Sequence, residues 1–300
     1  MEQAQIIQAV TAMAQAMAKP IRTPVYRRPD EYGMEYEDIF FNAIDGTRLE
    51  GWFIPANSDR LIICSHFGPG NRYGFAGHLE ELSFHGGFEV NFLPKYKALH
   101  EAGYNIVAYD IRDHGLSASS GTNGFSQLEW RDIIGAVKYA KSRPETRDLK
   151  TSLHTMCLGC NSTLIAMAKQ PQEFEHIISM TALQPVLGRA MIEKSCQSMG
   201  IDPKQGAELY DEQQRKIYGF RLDDYDIMKQ VSAIKIPTLV LQVRNDASMQ
   251  AEAIQGFYDA LPNPDKQIIW VEETTERFRG YTYFSDHPEQ LVAWFDSHMK

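Results

Sequence analysis

The chain has 300 residues, of which 43% are apolar and 11% aromatic, so it is long enough to bury a large core in one domain or in two smaller ones. Its net charge of −9, without a long basic cluster, argues against a nucleic-acid partner. No stretch approaches the roughly 18 apolar residues of a membrane span, so no membrane partner is expected. Four cysteines without a regular framework spacing predict reduced thiols and a cytoplasmic location.

The first 19 residues are rich in Ala, Gln and Met and are predicted to form a helix. One face of that helix is apolar, with Ile6, Val10, Met13 and Met17. The segment has no early positive charge, so it is not interpreted as a signal peptide. We expect the helix to pack on the domain or on a second copy of the chain in a homodimer. With the Pro- and Arg-rich connector over 20–33 it forms an N-terminal unit, residues 1–34.

The remaining chain alternates between strand-like and helix-like patterns. A hairpin is predicted from strands at 38–44 and 48–54 around Asp45-Gly46. Short apolar runs that predict buried strands follow at 61–64, 105–109, 153–156, 177–182, 238–243 and 267–271. Helical patterns lie at 128–141, 161–169 and 288–298. This alternation predicts a mostly parallel sheet with helices on both faces.

Two segments interrupt the alternation. Residues 69–94 form a long insertion rich in Gly and aromatic residues. Residues 187–232 are polar and mostly helical in pattern, and a segment of that length usually carries a function or its own structure. We interpret 187–232 as a helical cap over the carboxyl edge of the sheet, where ligands bind in open α/β folds. The core then comprises residues 35–186 and 233–300.

The segment Thr155-Met156-Cys157-Leu158-Gly159 follows one of the strand-like runs and precedes a helical pattern. A nucleophile between small residues at a strand-to-helix turn projects above the sheet. The N–H groups at the start of the helix favour negative charge on that side chain. We therefore expect Cys157 to be placed for nucleophilic attack. The alternative is a small, buried and inert cysteine in a degenerate elbow.

Together, the hairpin, the strand–helix alternation and the elbow resemble the α/β-hydrolase superfamily. Residues 64–68 resemble its His-Gly loop, 103–117 its "GY-x-V-x-x-YD-x-RGHG-x-S" stretch, and 236–246 the strand that ends in the catalytic acid. The cysteine elbow is similar to the G-x-C-x-G of dienelactone hydrolases and polyhydroxyalkanoate synthases. The resemblance implies an α/β-hydrolase fold, a mostly parallel twisted sheet flanked by helices, with a helical cap.

By this resemblance, Cys157 is the nucleophile and Asp246 the acid that orients a base. The N–H of Leu158, with that of Phe67 or Gly68, is expected to stabilise an oxyanion. Asp246 has an alternative role as a cap of the following helix.

This sequence departs from the family pattern at several positions. Thr155 replaces the first Gly of the elbow, and Phe67 stands where the His-Gly loop has its Gly. The loop at 272–281, where the family has its histidine, contains no His. The open alternatives for the base are His287, which is predicted as the third catalytic residue, His66, Glu276 or Arg277, and no base at all. A thiolate at a helix N-terminus needs a base less than a serine does.

The insertion follows the oxyanion loop, so His66, Arg72 and Tyr73 are predicted to contact the substrate, with an ordinary loop as the alternative. Cys157 and Cys160 form a C-x-x-C pair, which leaves a reversible disulfide open. A zinc site needs further ligands, and the sequence offers no second pair, so no metal and no cofactor are expected.

The predicted function is a cysteine-dependent hydrolase or acyl transferase, such as a thioesterase or acyltransferase. Its expected substrate is an ester, a thioester or a reactive carbonyl on a small or medium acyl molecule. Two alternatives remain: a lyase, cyclase or isomerase on the same fold, and a catalytically inactive binding protein. The absence of the histidine favours both alternatives.

Overall fold

The computed structural model describes residues 2–19 and 21–300, so Met1 of the predicted helix and Pro20 of the predicted connector lie outside the described residues. The strands, in chain order, are β1 (Glu37–Asn42), β2 (Arg48–Ile54), β3 (Arg60–Ser65), β4 (Gly74–Ala76), β5 (Glu89–Asn91), β6 (Asn105–Tyr109), β7 (Lys150–Met156), β8 (Ile177–Leu183), β9 (Thr238–Val243) and β10 (Lys266–Val271). The α-helices are α1 (Gln3–Ala18), α2 (Leu93–Glu101), α3 (Trp130–Ser142), α4 (Leu158–Lys169), α5 (Gly188–Ser198), α6 (Pro203–Tyr218), α7 (Ala251–Ala260), α8 (Arg279–Asp286) and α9 (Pro288–His298).

The central sheet has the strand order β1-β2-β6-β3-β7-β8-β9-β10. β2 is antiparallel to both of its neighbours, β1 and β6. The other neighbouring pairs, from β6 through β10 in the strand order, are parallel. The first two strands form the predicted hairpin, with Gly46 at a φ of 88° that a residue with a side chain rarely adopts. The apolar runs at 61–64, 105–109, 153–156, 177–182, 238–243 and 267–271 all lie in strands, which confirms the predicted fold class.

Helices cover both faces of this sheet. On one face α3, α4 and α7 bury apolar side chains against the strands. On the other face α2, α8 and α9 do the same. The central strands β3, β6 and β7 are therefore buried on both sides, which explains their continuous apolar sequence. This packing fixes the carboxyl ends of the strands as one rigid edge.

The N-terminal helix α1 packs on α6, in the polar and helical segment over 187–232. Val10 and Ala14 of α1 share a buried apolar cluster with Ile192 of α5 and Tyr210 of α6. The hydroxyl of Tyr218 also donates to the Ala14 carbonyl at 3.4 Å. The helix is thus covered by this chain itself and lies beside the cap helices.

The elements that were not predicted from the sequence include the helix α2, a hairpin in the insertion and the helix α8. Part of the insertion at 69–94 folds as an antiparallel hairpin of β4 and β5. The helix α8 occupies part of the segment after β10 that was expected to be a loop. Among the described residues, no helix combines the length and apolar character that a bilayer crossing requires.

Candidate active site

Cys157 lies at the sharp turn between β7 and α4. Its backbone has φ 46° and ψ −108°, outside the regions that residues with a side chain prefer, and it caps the N-terminus of α4. Its side chain is half-buried. A strained backbone of this kind persists only where the surrounding structure holds it in place, and such residues are concentrated at functional sites. The turn presents the thiol beside the free N–H groups of a helix N-terminus.

Gly159 allows the turn to approach the end of β3. A Cβ at this position would lie 2.3 Å from Ser65 Oγ and 2.7 Å from the His66 carbonyl oxygen. The N–H of Gly159 instead donates to that carbonyl at 3.0 Å. At the other small position, the hydroxyl of Thr155 donates to the Thr181 carbonyl at 2.7 Å, so the larger side chain is accommodated. The elbow and the loop after β3 are therefore in direct contact.

The predicted oxyanion donors lie on these two contacting segments. Within the described part of the chain, the N–H groups of Leu158, Phe67 and Gly68 donate no hydrogen bond. Cys157 N–H, by contrast, donates to the Leu183 carbonyl at 2.8 Å. Leu158 and Gly68 both line the cavity beside Cys157. These N–H groups remain the predicted donors to a developing oxyanion.

The acid predicted at the end of β9 is paired with an arginine. Asp246 is fully buried, and its Oδ2 accepts hydrogen bonds from Arg277 Nη1 and from Gln242 Nε2, the latter at 2.8 Å. Arg277 Nη2 donates to the Gln184 carbonyl at 2.6 Å. Arg277, one of the alternatives for the base, is thus the side chain that pairs with Asp246. A guanidinium is always protonated and has no acceptor, so it cannot take a proton from a nucleophile.

Tyr281 links this ion pair to the elbow. Its hydroxyl accepts a hydrogen bond from Arg277 Nε at 3.1 Å, and Tyr281 and Cys157 line the same cavity. Its ring stacks on Phe67, with centroids 4.0 Å apart and planes 4° from parallel. Burial raises the pKa of Tyr281 well above its ordinary value. The positive charge of Arg277 lowers this pKa, and the Cys157 thiol raises it. From the elbow to the buried acid, the side chains therefore lie in the order Cys157, Tyr281, Arg277 and Asp246.

The charge of Arg277 is held in place by its neighbours. Burial by itself lowers the pKa of this guanidinium, but Tyr281, Asp246 and Cys157 more than offset that effect and hold the pKa above its ordinary value. Its side chain is 11% exposed. The site therefore contains a fixed positive charge that faces both the sulfur and the phenol oxygen.

A cavity of ≈ 390 Å³, here called the elbow cavity, opens above Cys157. Much of its wall is apolar, with Met17, Ile21, Leu158, Val186, Met191 and Phe278. The first two belong to the N-terminal segment and Met191 to α5, so the cap and the N-terminal segment both enclose the sulfur. The apolar wall matches the general character of small-molecule sites, in which a few polar groups orient the ligand.

Comparisons with known proteins give partial matches in sequence. No protein-family model matches the chain. The uncharacterized protein YfhR of Salmonella typhi is 31% identical over 139 residues, which cover 44% of this chain and 41% of YfhR. The chain therefore spans less than half of the length of that curated relative. A carboxylesterase of Bacillus subtilis is 24% identical over 244 residues, covering 78% of this chain and 89% of the carboxylesterase.

Comparisons of structure match nearly the whole chain. The Pyrococcus furiosus esterase PF2001 superposes with a TM-score of 0.71 at 19% identity, covering 95% of this chain and 99% of the esterase. The α/β hydrolase GrgF from a Penicillium species has a TM-score of 0.61 at 17% identity, covering 89% and 99%. The chain has the α/β-hydrolase fold. A dienelactone hydrolase from Anabaena variabilis, a protein of the type that the elbow resembles, has a TM-score of 0.56 at 13% identity, covering 89% and 99%.

In this α/β-hydrolase fold, His287 is not brought to the elbow. It lies between α8 and α9 and lines a separate cavity with Trp270 and Glu272. Its ring packs on Tyr283, with centroids 4.6 Å apart. Because α8 replaces the expected loop, the chain reaches His287 only after a helix that leads away from the elbow cavity. The structure thus gives the position opposite Asp246 to Arg277 and not to His287.

The three residues predicted to contact the substrate are buried beneath the hydrolase-fold site and do not line the elbow cavity. His66 Nδ1 donates to the Phe67 carbonyl at 2.8 Å, and its Nε2 accepts from the Ile111 N–H at 2.9 Å. The Arg72 guanidinium lies 3.4 Å from Asp110. The hydroxyl of Tyr73 donates to Glu89. The prediction failed because these side chains point inward and serve local hydrogen bonds and ion pairs.

Two other histidines do line the elbow cavity. His114 Nδ1 donates to the Arg112 carbonyl at 2.8 Å, and burial lowers the pKa of its imidazole. His85 stacks on Phe278 with centroids 4.3 Å apart, and burial lowers its pKa as well. Neither histidine was among the residues assigned to the site from the sequence.

Cys160 lies behind the elbow as a free, buried thiol, and burial raises its pKa to about 12. Cys157 is also free, so the C-x-x-C pair is reduced in this structure. In residues 2–19 and 21–300, no three His, Cys, Asp or Glu side chains are grouped to hold a metal ion.

Proposed function

We propose that this chain is a cysteine-dependent hydrolase or acyl transferase that acts on an ester, a thioester or a reactive carbonyl. The observation that carries the proposal is the strained backbone of Cys157, which holds a half-buried thiol at a helix N-terminus and at the floor of the elbow cavity. The similarity in sequence to a carboxylesterase, and in fold to esterases, supports the general class of reaction.

In the proposed reaction, the thiolate of Cys157 attacks the carbonyl carbon of the substrate and forms an acyl-enzyme. The N–H groups of Leu158 and of Phe67 or Gly68 stabilise the oxyanion. Loss of one such donor typically reduces the rate by about 10²–10³-fold. Arg277 lines the same cavity as Cys157, and α4 begins directly after Cys157, so both place positive charge or partial positive charge near the reacting atoms. The apolar wall of the elbow cavity is suited to a small or medium acyl group.

A specific observation favours a second candidate, a lyase, cyclase or isomerase that uses the same site without hydrolysis. Arg277 stands where a hydrolase has the histidine that activates water, and a guanidinium does not accept a proton. The acyl-enzyme would then persist until another reaction consumes it. The third alternative, an inactive binding protein, has less support because the thiol lines a cavity instead of being sealed in the core.

The test is intact-protein mass spectrometry after brief exposure to 4-nitrophenyl acetate, with wild type, Cys157→Ala and Cys160→Ala compared. We expect the wild type and the Cys160 variant to gain one acetyl group and the Cys157 variant to gain none. A wild type that gains no acetyl group, or a Cys157 variant that gains as much, would overturn the proposal.

The fate of the adduct separates the candidates. Loss of the acetyl group in water indicates a hydrolase, and its loss only after addition of a thiol or an amine indicates an acyl transferase. An adduct that persists under both conditions supports the non-hydrolytic enzyme.

A further inference from the structure

We propose that the hydroxyl of Tyr281 is the acid–base group of this site and takes the place of the family's imidazole. The inference rests on the proposed function, because it assigns the proton transfers that accompany acylation and deacylation of Cys157. It also deepens that function, because it selects acyl donors whose leaving group must be protonated to depart, such as alkyl esters.

The geometry directs the phenolic hydrogen toward the reacting atoms. Arg277 Nε donates to the phenol oxygen at 3.1 Å, so that side of the oxygen acts as an acceptor. The Tyr281 ring is fixed by its stacking on Phe67 and is almost fully buried. The hydrogen of the hydroxyl is therefore not used in the bond to Arg277 and is free for a group in the elbow cavity, which Tyr281 and Cys157 both line. The hydroxyl is thus placed to donate its proton to the leaving group on the acyl carbon that the sulfur attacks.

The neighbouring groups are less suited to the same task. Asp246 Oδ2 already accepts hydrogen bonds from Arg277 and Gln242. Arg277 is held protonated by its surroundings and has no acceptor atom. The imidazole of His114 packs its Nε2 against Gly68 and holds the Arg112 carbonyl with its Nδ1. Tyr281 combines an exchangeable proton with a position on the wall of the cavity that Cys157 also lines.

The proton and charge balance closes without any further reactant. The Cys157 thiolate forms a C–S bond to the acyl carbon, the bond to the leaving group breaks, and the leaving group takes the phenolic proton of Tyr281. The negative charge has then moved from sulfur to the phenolate, and Arg277 faces both atoms. In the second step an acceptor (water, an alcohol, a thiol or an amine) attacks the acyl carbon and gives its proton to the phenolate, and the thiolate is released.

The test measures acylation rates of Tyr281→Phe with acetate esters whose leaving groups range from 4-nitrophenol, through phenol and trifluoroethanol, to ethanol. The variant keeps the ring, its stack on Phe67 and the ion pair of Arg277. We expect the rate with the 4-nitrophenyl ester to change by less than about 3-fold, because that leaving group departs without a proton. With the ethyl ester we expect a loss of about 10²–10⁴-fold, the usual contribution of general acid catalysis.

Tyr283→Phe is the matched control on the same helix, since the Tyr283 hydroxyl bonds to Gln290 and its side chain lines the other cavity. An equal loss with all four esters, or no loss with the ethyl ester, would overturn the assignment to Tyr281. The absence of any acetyl adduct on the wild type would instead overturn the proposed function, so the two failures are distinct.

A second substitution avoids dependence on one variant. Incorporation of 3-fluorotyrosine at 281 keeps the hydroxyl and makes the phenol more acidic. We expect it to shift the pH dependence of ethyl-ester turnover to lower pH, whereas a purely structural tyrosine would leave that dependence unchanged. The circular dichroism spectrum of each variant reports whether the fold is retained.

Discussion

The site has two sides that are built in different ways. The elbow side, formed by β7, α4 and the loop after β3, is defined by backbone: the strained turn at Cys157 and the close approach that only Gly159 permits. The acid side, formed by the loops after β9 and β10, is defined by side chains: Asp246, Arg277 and Tyr281. The comparison teaches that the geometry of the elbow side depends on the backbone, whereas that of the acid side depends on contacts between side chains.

Each side also has a buried cationic side chain, and the two differ in whether a carboxylate pairs with them. Arg277 on the acid side is paired with Asp246. Lys95 lies beneath the elbow side, fully buried, with its Nζ 3.5 Å from Met156 Sδ and 3.8 Å from the centroid of the Phe92 ring. Within the described ranges no carboxylate forms an ion pair with Lys95. Burial lowers its pKa to about 7, so this amine loses its charge near neutrality.

The largest effect is expected from breaking the ion pair on the acid side. Arg277→Met leaves the Asp246 carboxylate buried without its cation, which should reduce the free energy of unfolding by about 3–5 kcal/mol. Urea denaturation at pH 7 measures it. Arg277→Met combined with Asp246→Asn removes the stranded charge and should recover part of the loss. A single variant within about 1 kcal/mol of wild type would show that the pair is not needed for folding.

The next effect is a gain in stability with a defined pH dependence. Because the pKa of Lys95 is about 7 in the folded chain and near its ordinary 10.5 when unfolded, the cost of burying its charge is complete below pH 7. That cost declines as the pH rises from 7 to 10.5, by at most about 1.4 kcal/mol per pH unit. Lys95→Met should therefore stabilise the protein most at or below pH 7 and least above pH 10.5.

Lys97→Met is the matched control, because Lys97 lies on the same helix and its side chain is 44% exposed. It should change stability by less than about 0.5 kcal/mol at any of these pH values. A Lys95 variant whose gain is independent of pH would contradict the assigned titration.

A moderate effect is expected at the backbone contact of the elbow side. Gly159→Ala places a methyl group 2.3 Å from Ser65 Oγ, and such overpacking typically costs about 1–3 kcal/mol. It should also displace Cys157 and slow its acetylation. Gly256→Ala in α7 is the control, since a Cβ there meets no atom within 4 Å and replaces a poor helix former. Thermal melts of the two variants should move in opposite directions.

The smallest effect is expected at His287. This residue lines a separate cavity, so His287→Ala should leave the rate of Cys157 acetylation within about 2-fold of wild type, far below the 10²–10⁴-fold of a lost general base. A fall of 100-fold or more would restore His287 as a candidate base and would argue against Tyr281.

The two sides also differ in how well the sequence predicted them. The elbow is a local pattern: five consecutive residues specify the turn, and Cys157 was recognised from them. The acid side depends on contacts between segments that are distant in sequence, and residues 246 and 277 are separated by 31 positions. The alternatives for the base included Arg277, but no local pattern indicated that its Nε would contact Tyr281.

The fold could be predicted because the spacing of apolar residues along each run indicates whether a strand or helix is buried on one face or on both. The helix α8 was missed because its sequence, with Gly280, Tyr281 and Thr282, has weak intrinsic helix propensity, and its stability comes from packing on the strands. The same limit explains why His66, Arg72 and Tyr73 were assigned to the cavity. A loop sequence does not reveal whether its polar side chains point inward.

The position of α1 has a consequence for how this protein can diversify. Ala16 and Met17, at the end of that helix, form part of the wall of the elbow cavity, although they belong to a segment that contributes none of the reacting groups. Under the proposed function, substitutions there are expected to change the room available to an acyl group without altering Cys157, Tyr281 or Arg277. A variant library limited to this helix would test whether substrate selectivity changes while the rate of Cys157 acylation is kept.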